Sequence, residues 1–426
     1  MPTHLVAALD VRDFGAQTVR VGDLNGDGAP DLLFVQNIRG PRTITCLTAA
    51  TIHGEVLWQH GTPSADHGEV YCDLPVQIYD WDGDGRNEVL FVRQAEYLDV
   101  ELRPDLVVER APRYGGTATM VVLDGCTGRE KHSFPIPAPA DDSFLFADLT
   151  GRGCRQDFVV KDRYWNMWGL SAEGEELWRW EGSVGHYPAI ADVDGDGRDE
   201  VFVGYALVDH DGTVLFDHPH EPGEHQDAST VVQLPDGSWR LLFGNGGIHC
   251  LTPDGTLLWH HKLTEAQHVV AGHFRPDLGP VQFMVVDRGF PRTPEGSPGV
   301  LYLYDLDGSE VWRRVQPPGS WCSACVEIDW SGHGEPREVV VYSRGAGNPV
   351  AVFDGQGEIV DEVDMVYTPD RTAEDRTTHH YVTRADVWGD SREEIIFTGT
   401  RGACVWANAR PLALPTLYNN TYYPGM

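Results

Sequence analysis

Basic side chains are scarce in this chain. Its 426 residues contain 32 Lys and Arg against 65 Asp and Glu, which gives a formal net charge of −33. Proteins that bind nucleic acids or anionic membranes neutralise phosphate groups with an excess of Lys and Arg. We therefore expect neither a nucleic acid nor a membrane as a partner.

Cysteines and long apolar segments are also few. Eight cysteines are too sparse for a disulfide scaffold, which is typical of proteins from a reducing compartment. No run of about 18 apolar residues occurs, and the first ten residues, MPTHLVAALD, lack the basic start and apolar stretch of an export signal. The expected location is the cytoplasm.

One short acidic pattern occurs three times, each time between two strand-forming segments. The copies are DLNGDGAPD from Asp23, DWDGDGRNE from Asp80 and DVDGDGRDE from Asp192. Oxygen donors at positions 1, 3, 5 and 9, with a main-chain carbonyl at 7, can surround Ca²⁺, whereas an EF-hand loop would place its last acid at position 12 between helices. The pattern predicts calcium-binding β-hairpin turns with a structural role; the alternative is Asp/Gly-rich turns without metal. The predicted ligands are Asp23, Asn25, Asp27, Asp31, Asp80, Asp82, Asp84, Glu88, Asp192, Asp194, Asp196 and Glu200.

The strands and turns around these loops form a unit that repeats along the whole chain. Each unit has an apolar hairpin, a third strand, an Asp-Gly or Glu-Gly turn and, in several units, a strand with Trp. Eight units follow from the anchor residues Asp23, Asp80, Asp148, Asp192, Val232, Phe274, Asp329 and Asp386. Four strands per unit predict an all-β fold, an eight-bladed β-propeller, with seven blades as the alternative.

We expect one propeller domain over residues 1–426. The last unit ends with GACVWAN at Asn408 and lacks a fourth strand, which the segment Leu5 to Leu9 can supply. Residues 1–16 are therefore predicted to close the ring, and residues 409–426 to form a C-terminal tail.

Histidines recur at the opposite end of the innermost strands from the acidic loops. The residue six before each anchor lies about 20 Å from the loop, at ~3.3 Å per residue. This position is occupied by His186, His268 and His380 in three units, with His225 and His379 one residue earlier. One interpretation is a cluster of imidazoles for acid–base chemistry or metal binding; the other is a set of histidines that cap strand ends.

Basic residues follow the second strand of several units and are predicted at the same end. These residues are Arg93, Lys161, Arg163, Arg288, Arg344 and Arg401. A cationic mouth on an anionic body favours a negatively charged small ligand, while the alternative is that these are solvated loop cations.

The chain resembles the eight-bladed, calcium-containing rhamnogalacturonan lyases of polysaccharide lyase family 11 and, more loosely, the FG-GAP repeat proteins. The matching segments are the loops at Asp80 and Asp192, and the segment VKDRY from Val160 to Tyr164 that precedes Asn166-Met-Trp168. The chain differs from the usual family members in its shorter length and in lacking an N-terminal β-sandwich extension.

The resemblance implies a carbon–oxygen lyase that cleaves uronic-acid-containing glycans by β-elimination, with an anionic oligosaccharide as substrate. This reaction needs a cation for the C6 carboxylate, a base for the C5 proton and an acid for the leaving O4. We expect Lys161 and Arg163 on the carboxylate, one of His186, His268 and His380 as base, and Tyr164 or another histidine as acid. Arg93, His225, Arg288, Arg344, His379 and Arg401 are predicted to bind substrate.

A non-catalytic FG-GAP-type propeller that binds carbohydrate or protein is the alternative function. It would need the calcium loops and the blades but not the histidines, so loss of activity on His→Ala substitution separates the two functions.

Overall fold

The computed structural model describes residues 2–15, 18–38, 43–68, 73–94, 118–162, 164–220, 225–288, 298–316, 323–343, 350–366, 381–399 and 402–412. Within these ranges the protein is built of β-strands, with one short 3-10 helix at Pro276–Leu278. No described helix has the length and apolar character needed to span a membrane.

The strands form eight antiparallel sheets of four strands, as the repeats predicted. The first four sheets, here called blades 1 to 4, follow each other along the chain. Blade 1 contains β2 (Val19–Gly22), β3 (Asp31–Asn37), β4 (Ile44–Ala50) and β5 (Val56–Gly61). Blade 2 contains β6 (Val76–Tyr79), β7 (Glu88–Gln94), β8 (Ala118–Asp124) and β9 (Glu130–Ile136). Blade 3 contains β10 (Leu145–Ala147), β11 (Asp157–Lys161), β12 (Asn166–Leu170) and β13 (Glu176–Glu181), and blade 4 contains β14 (Ala189–Ala191), β15 (Glu200–Val203), β16 (Ala206–Val208) and β17 (Val214–Asp217).

Blades 5 to 8 repeat this order, and blade 8 takes its outer strand from the N-terminus. Blade 5 contains β18 (Ala228–Gln233), β19 (Trp239–Gly244), β20 (Gly247–Leu251) and β21 (Leu257–Lys262). Blade 6 contains β22 (Ala266–Gly272), β23 (Gln282–Asp287), β24 (Val300–Tyr304) and β25 (Glu310–Val315). Blade 7 contains β26 (Ser323–Ile328), β27 (Glu338–Ser343), β28 (Val350–Phe353) and β29 (Ile359–Val363), and blade 8 contains β30 (Tyr381–Ala385), β31 (Glu394–Thr398), β32 (Gly402–Asn408) and β1 (Thr3–Asp10).

The N-terminal strand β1 closes the ring by pairing with β32. The register runs from Thr3 opposite Asn408 to Asp10 opposite Gly402, with one irregularity between Leu5 and Ala7. Strand order in this sheet is β1-β32-β31-β30, so the first and last segments of the chain share a blade. A ring closed in this way has no unpaired edge between its first and last blades.

The hydrophobic core consists of eight clusters, and each cluster lies between two neighbouring blades. Alternation along the second strand of each blade produces this arrangement, because successive side chains point to opposite faces of a sheet. In β7, Val89 and Phe91 pack against blade 1, whereas Leu90 and Val92 pack against blade 3. The cluster between blades 8 and 1 contains Val405 and Phe34, which completes the circle.

Tryptophans of the outer strands connect neighbouring blades through hydrogen bonds. The indole N–H of Trp58 donates to the carbonyl of Gly125 over 2.6 Å, and that of Trp178 donates to the carbonyl of His210 over 2.6 Å. Trp259 and Trp312 make the equivalent bonds to Leu306 and to Gly355 in the next blade. In each of these pairs of blades, the Trp of an outer strand therefore contacts the Asp-Gly turn of the next blade, and both features recur in the sequence.

Candidate active site

The candidate site lies where the innermost strands of blades 3, 4 and 5 begin. Asp142 precedes β10, His186 precedes β14, and His225 and Asp227 precede β18. Lys161 ends β11, the second strand of blade 3, and Tyr164 follows it. Because the first two strands of each blade are antiparallel, the first strand begins at the edge of the blade where the second strand ends. This edge is opposite the one that carries the acidic loops.

Asp142, His186 and Lys161 form a buried ionic group. The carboxylate oxygen Oδ2 of Asp142 lies 2.6 Å from Nδ1 of His186 and 3.7 Å from Nζ of Lys161. The side chains of Asp142 and Lys161 are 1% and 2% exposed, and that of His186 is 16% exposed. With Nδ1 donating to the carboxylate, Nε2 of a neutral His186 is left as an acceptor. The ammonium of Lys161 faces inward and supports Asp142; the sequence had predicted it at the rim.

The segment that carries Asp142 has an unusual backbone. Ala140, Asp142 and Ser143 have φ angles of 57°, 57° and 80°, in the region that L-residues rarely occupy. Such strain persists where the surrounding structure over-determines the conformation, and it clusters at functional sites. The strained turn holds the buried carboxylate of Asp142 toward blade 4.

Asp162 orders the loop between Lys161 and Asn166. Its carboxylate oxygen Oδ1 accepts hydrogen bonds from the backbone N–H groups of Tyr164, Trp165 and Asn166 at 3.1, 2.7 and 2.9 Å. The side-chain amide of Asn166 donates to the other oxygen. This arrangement fixes Tyr164, whose hydroxyl lies 3.5 Å from Nε2 of His186.

Two backbone hydrogen bonds link the start of blade 4 to this loop and to blade 5. The N–H of Val184 donates to the carbonyl of Tyr164, and the N–H of His186 donates to the carbonyl of Gln226, both over 2.9 Å. Gly185 lies between them with φ of 57°, and a Cβ there would come within 2.4 Å of the Gln226 side chain. Glycine is required at this position because any larger residue would separate blade 4 from blade 5.

His225, Asp227 and Tyr164 complete the cluster on the side of blade 5. Nε2 of His225 and Nε2 of His186 lie 3.5 and 3.6 Å from Oδ1 of Asp227. The Tyr164 ring lies 4.6 Å from the His225 ring and 5.3 Å from the His186 ring, between centroids. Burial alone would raise the pKa of Asp227, but the hydrogen bond and charge of His225, together with His186 and Arg288, hold it below its usual value.

His186, His225 and Asp227 have the donor geometry of a divalent-cation site. The ligand atoms of His186, His225 and Asp227 all lie within 4.8 Å of one another. Two imidazole nitrogens and a carboxylate oxygen suit several divalent metals.

The other predicted basic residues are distributed differently. Arg288 follows β23, the second strand of blade 6, and forms an ion pair with Glu265. Burial raises the pKa of Glu265, and the charge of Arg288 offsets only part of this shift. Arg93 pairs with Glu130 of the outer strand β9 at 3.1 Å and does not join the cluster. The predicted site residues that lie outside the described ranges are Arg163, Arg344, His379, His380 and Arg401.

His268 lies one blade beyond the cluster. Tyr187 stands between them, with ring centroids 6.3 Å from His268 and 5.9 Å from His186. Of the predicted catalytic and substrate-binding residues, the structure therefore brings together Lys161, Tyr164, His186 and His225, with Arg288 and His268 at the margin.

Three acidic residues that the sequence reasoning did not select belong to the site. Asp142 occupies the same position six before an anchor as the histidines, so its signal was present in the sequence. Asp162 lies inside the VKDRY segment, and Asp227 lies two residues after His225. Each is less than 6% exposed, and a buried carboxylate with cationic or N–H partners marks a functional candidate.

The acidic loops lie at the opposite end of the strands and differ in how well they fit a cation. In the loop at Asp192, the ligand atoms of Asp192, Asp194 and Glu200 lie within 4.8 Å of one another. Oε2 of Glu200 accepts from the N–H of Val193, whereas the buried Oε1 has no hydrogen-bond partner among the described residues. A buried acceptor without a partner is costly, and a bound cation would satisfy it.

The loops at Asp80 and Asp23 carry internal partners. Asp80, Asp82 and Glu88 also form a compact donor group, but Nζ of Lys131 lies 2.6 Å from Asp82 and 2.8 Å from Glu88. In the loop at Asp23, the Asn25 side-chain amide donates to Asp27 over 3.0 Å. The acceptors Asp31, Asp84 and Asp196 bond backbone N–H groups of their own loops. Oδ1 of Asp80 is also buried without a hydrogen-bond partner among the described residues, but the ammonium of Lys131 contacts the other two carboxylates of that loop, so the loop at Asp192 fits the predicted ion best.

The fold and the site together define an eight-bladed β-propeller with an acid–base cluster at one end of its innermost strands. A family model described as the C-terminal domain of rhamnogalacturonan lyase family 11 matches residues 156–286, which include most of the cluster. The comparisons thus confirm the resemblance that the sequence motifs indicated.

Individual relatives give the same result over most of the chain. The chain is similar to the rhamnogalacturonan exolyase YesX of Bacillus subtilis, with 22% identity over 90% of this chain and 69% of YesX. It is similar to the rhamnogalacturonan endolyase YesW of the same organism, with 25% identity over 90% of this chain and 66% of YesW. The structure of a Bacillus licheniformis rhamnogalacturonan lyase of family 11 superposes with a TM-score of 0.61 at 19% identity, covering 92% of this chain and 72% of the other. The chain thus spans about two thirds of the length of these two curated relatives.

Proposed function

We propose that this protein is a lyase that cleaves rhamnogalacturonan-type glycans by β-elimination next to a uronic acid. The observation that carries the proposal is the buried group of Asp142, His186 and Lys161 beside Tyr164. Similarity to the family 11 lyases over 90% of the chain supports the substrate class.

His186 is the proposed base. Asp142 holds Nδ1 as the donor, which directs the lone pair of Nε2 toward the substrate. In the reaction, Nε2 accepts the C5 proton, the electron pair of the C5–H bond forms the C4–C5 double bond, and the C4–O4 bond breaks. Asp142 stabilises the imidazolium that results, and Nζ of Lys161 lies 3.7 Å from the same carboxylate oxygen.

Tyr164 is the proposed acid. Its hydroxyl lies 3.5 Å from Nε2 of His186, so both groups can reach adjacent atoms of one sugar ring. The hydroxyl donates its proton to O4 of the leaving residue and is later reprotonated from solvent. A base and an acid this close together act on one face of the ring, which suits uronates whose C5–H and C4–O4 bonds are cis. In galacturonate these two bonds are trans, so the leaving O4 would then take its proton from the opposite face.

The uronate carboxylate needs positive charge, and the predicted basic site residues that the structure describes, Lys161, Arg93 and Arg288, each lie beside an acid. Arg163, in the loop after Lys161, is the proposed side chain for this role. A divalent cation held by His186, His225 and Asp227 would supply the same charge when bound. Because coordination would occupy the lone pair of His186 Nε2, the two functions of His186 exclude each other. Activity that is lost in EDTA and restored by a transition-metal ion, but not by Ca²⁺, would assign the base to Tyr164.

Calcium at the three acidic loops is proposed as a structural cofactor. The donor group at Asp192 and the buried oxygen of Glu200 support this ion most directly. Ions at these loops would stabilise turns between blade strands, far from the catalytic cluster.

The test of the proposed function is ultraviolet absorbance of the unsaturated uronate that elimination creates. Purified protein is incubated with rhamnogalacturonan, with its oligosaccharides and with unbranched polygalacturonate. We expect absorbance to rise with rhamnogalacturonan substrates and to fall to background in His186→Ala and Tyr164→Phe. No rise in absorbance with any of these substrates would favour the non-catalytic binding propeller, and wild-type rates in both variants would refute the assignment of His186 and Tyr164.

A further inference from the structure

A cleft between the outer parts of blades 4 and 5 has no role in the proposed chemistry. It is lined by Tyr205 in the turn after β15, by His218 and His220 after β17, and by the turn Asn245–Gly247 after β19. These turns lie at the same end of the propeller as the catalytic cluster. The cavity volume is about 340 Å³, near the lower limit for sites that bind small molecules, roughly 300 Å³.

Imidazole rings line this cleft, and two of them stack on the buried rings of Tyr205 and Phe243. The rings of Tyr205 and His220 stack at 4.3 Å with an angle of 11° between their planes. The rings of Phe243 and His249 stack at 4.6 Å with an angle of 14°, and His218 lies 5.6 Å from His249. Flat rings with polar edges suit a ligand that has apolar C–H faces and hydroxyl groups at its periphery.

The described lining contains no Lys, Arg, Asp or Glu. Burial and the neighbouring His218 and His260 lower the pKa of His249 to about 4, so its imidazole is neutral at pH 7. Nδ1 of His249 is buried and has no hydrogen-bond partner among the described residues. These features favour a neutral ring over a uronate.

One hydrogen bond links the cleft to the catalytic cluster. The side-chain amide of Asn245, which lines the cleft, donates a hydrogen bond to the carbonyl of His225. We infer that the cleft is a second carbohydrate site, which binds a neutral sugar residue of the glycan whose uronate lies at His186 and His225. The identity of this ligand as part of the substrate rests on the proposed function.

Gly246 provides a substitution that blocks the cleft without disturbing the fold. A Cβ at Gly246 would meet no atom within 4 Å, whereas at the neighbouring Gly247 it would come within 2.6 Å of a backbone carbonyl. Gly246→Phe therefore fills the cleft, and Gly246→Ala is the matched control. Both variants should keep the wild-type melting temperature.

Binding is measured by titrating methyl rhamnoside, methyl galactoside and galacturonate while the ring C–H resonances of His218, His220 and His249 are followed by NMR. We expect saturable shifts with at least one neutral glycoside, with a dissociation constant on the order of millimolar. Galacturonate should give no saturable shift, and Gly246→Phe should abolish the response that Gly246→Ala retains. Equal binding of galacturonate, or unchanged binding in Gly246→Phe, would overturn the inference.

The elimination assay separates this inference from the proposed function. In Gly246→Phe we expect KM for long rhamnogalacturonan chains to rise about tenfold, with kcat and the rate on the shortest cleavable oligosaccharide unchanged. If neutral glycosides bind but no substrate is eliminated, the proposed function fails and the cleft remains a sugar site. If elimination proceeds but no glycoside binds, the cleft inference alone fails.

Discussion

Asp142→Asn is the substitution that tests the catalytic cluster most sharply. In the wild type, one carboxylate oxygen of Asp142 serves both Nδ1 of His186, at 2.6 Å, and Nζ of Lys161, at 3.7 Å. An amide at this position is nearly the same size but carries no charge and can present an N–H to His186. The imidazole would then carry its proton on Nε2, where it cannot accept the C5 proton.

Two different losses are expected from this one substitution. The wrong tautomer of a catalytic histidine costs about 10⁴-fold in kcat in the Ser-His-Asp triad, so we expect a loss of roughly 10³-fold here. Removal of one charge from a buried ion pair costs about 3 kcal/mol in the free energy of unfolding. Lys161 is only 2% exposed, so solvent cannot replace the lost carboxylate.

The double variant Asp142→Asn/Lys161→Met separates these two effects. Replacement of both charges by neutral groups of similar size should restore the free energy of unfolding to within about 1 kcal/mol of wild type. The activity should stay low, because the histidine still lacks its carboxylate. The free energy is measured by denaturant unfolding, and kcat by ultraviolet absorbance of the unsaturated product. Activity of Asp142→Asn within about tenfold of wild type, or recovery of activity in the double variant, would refute the assignment of Asp142.

Three further predictions concern the acidic loops and the Asp162 loop. EDTA should lower the melting temperature and Ca²⁺ should restore it, as measured by thermal shift, because an ion bound only to the folded state stabilises that state. Asp194→Ala should reduce this response to Ca²⁺, and equal melting temperatures in EDTA and in Ca²⁺ would contradict the calcium proposal. Burial raises the pKa of Glu200 from 4.5 to about 7, so in EDTA its stabilising contribution is present below pH 4.5 and is lost as pH rises through 7, by up to about 3 kcal/mol in the free energy of unfolding. Glu200→Gln should remove this part of the pH dependence of the free energy of unfolding, and an unchanged pH dependence would reject the prediction. Asp162→Ala deprives three backbone N–H groups of their acceptor and should lower the free energy of unfolding by about 3 kcal/mol, measured with denaturant. Asp162→Asn retains an acceptor oxygen and should keep most of the wild-type stability, so equal losses in the two variants would show that this oxygen does not hold the loop.

Local pattern in the sequence was sufficient to predict the architecture. Each strand, turn and acidic loop is specified by a local pattern of about ten residues. Because the same unit recurs eight times, an unclear pattern in one unit can be interpreted from the equivalent positions of the others. The absence of a fourth strand after Asn408 even identified Leu5 to Leu9 as the segment that completes blade 8, where β1 now pairs with β32. A propeller blade contacts only its neighbours, and this limits how much long-range information the fold requires.

The chemistry of the site was decided by contacts between blades, which the sequence does not state. Lys161 was predicted at the cationic mouth, but its side chain points inward, because every residue of β11 is buried between blades. There its ammonium lies 3.7 Å from the carboxylate of Asp142. Arg93 lies in blade 2, outside the three blades that form the site, and pairs there with Glu130, 37 residues away along the chain. Position along a strand follows from local periodicity, but the partner of a charged side chain depends on which distant residues the closed ring brings within a few ångströms. Charges pair with their nearest desolvated neighbour, and only the tertiary structure determines which neighbour that is.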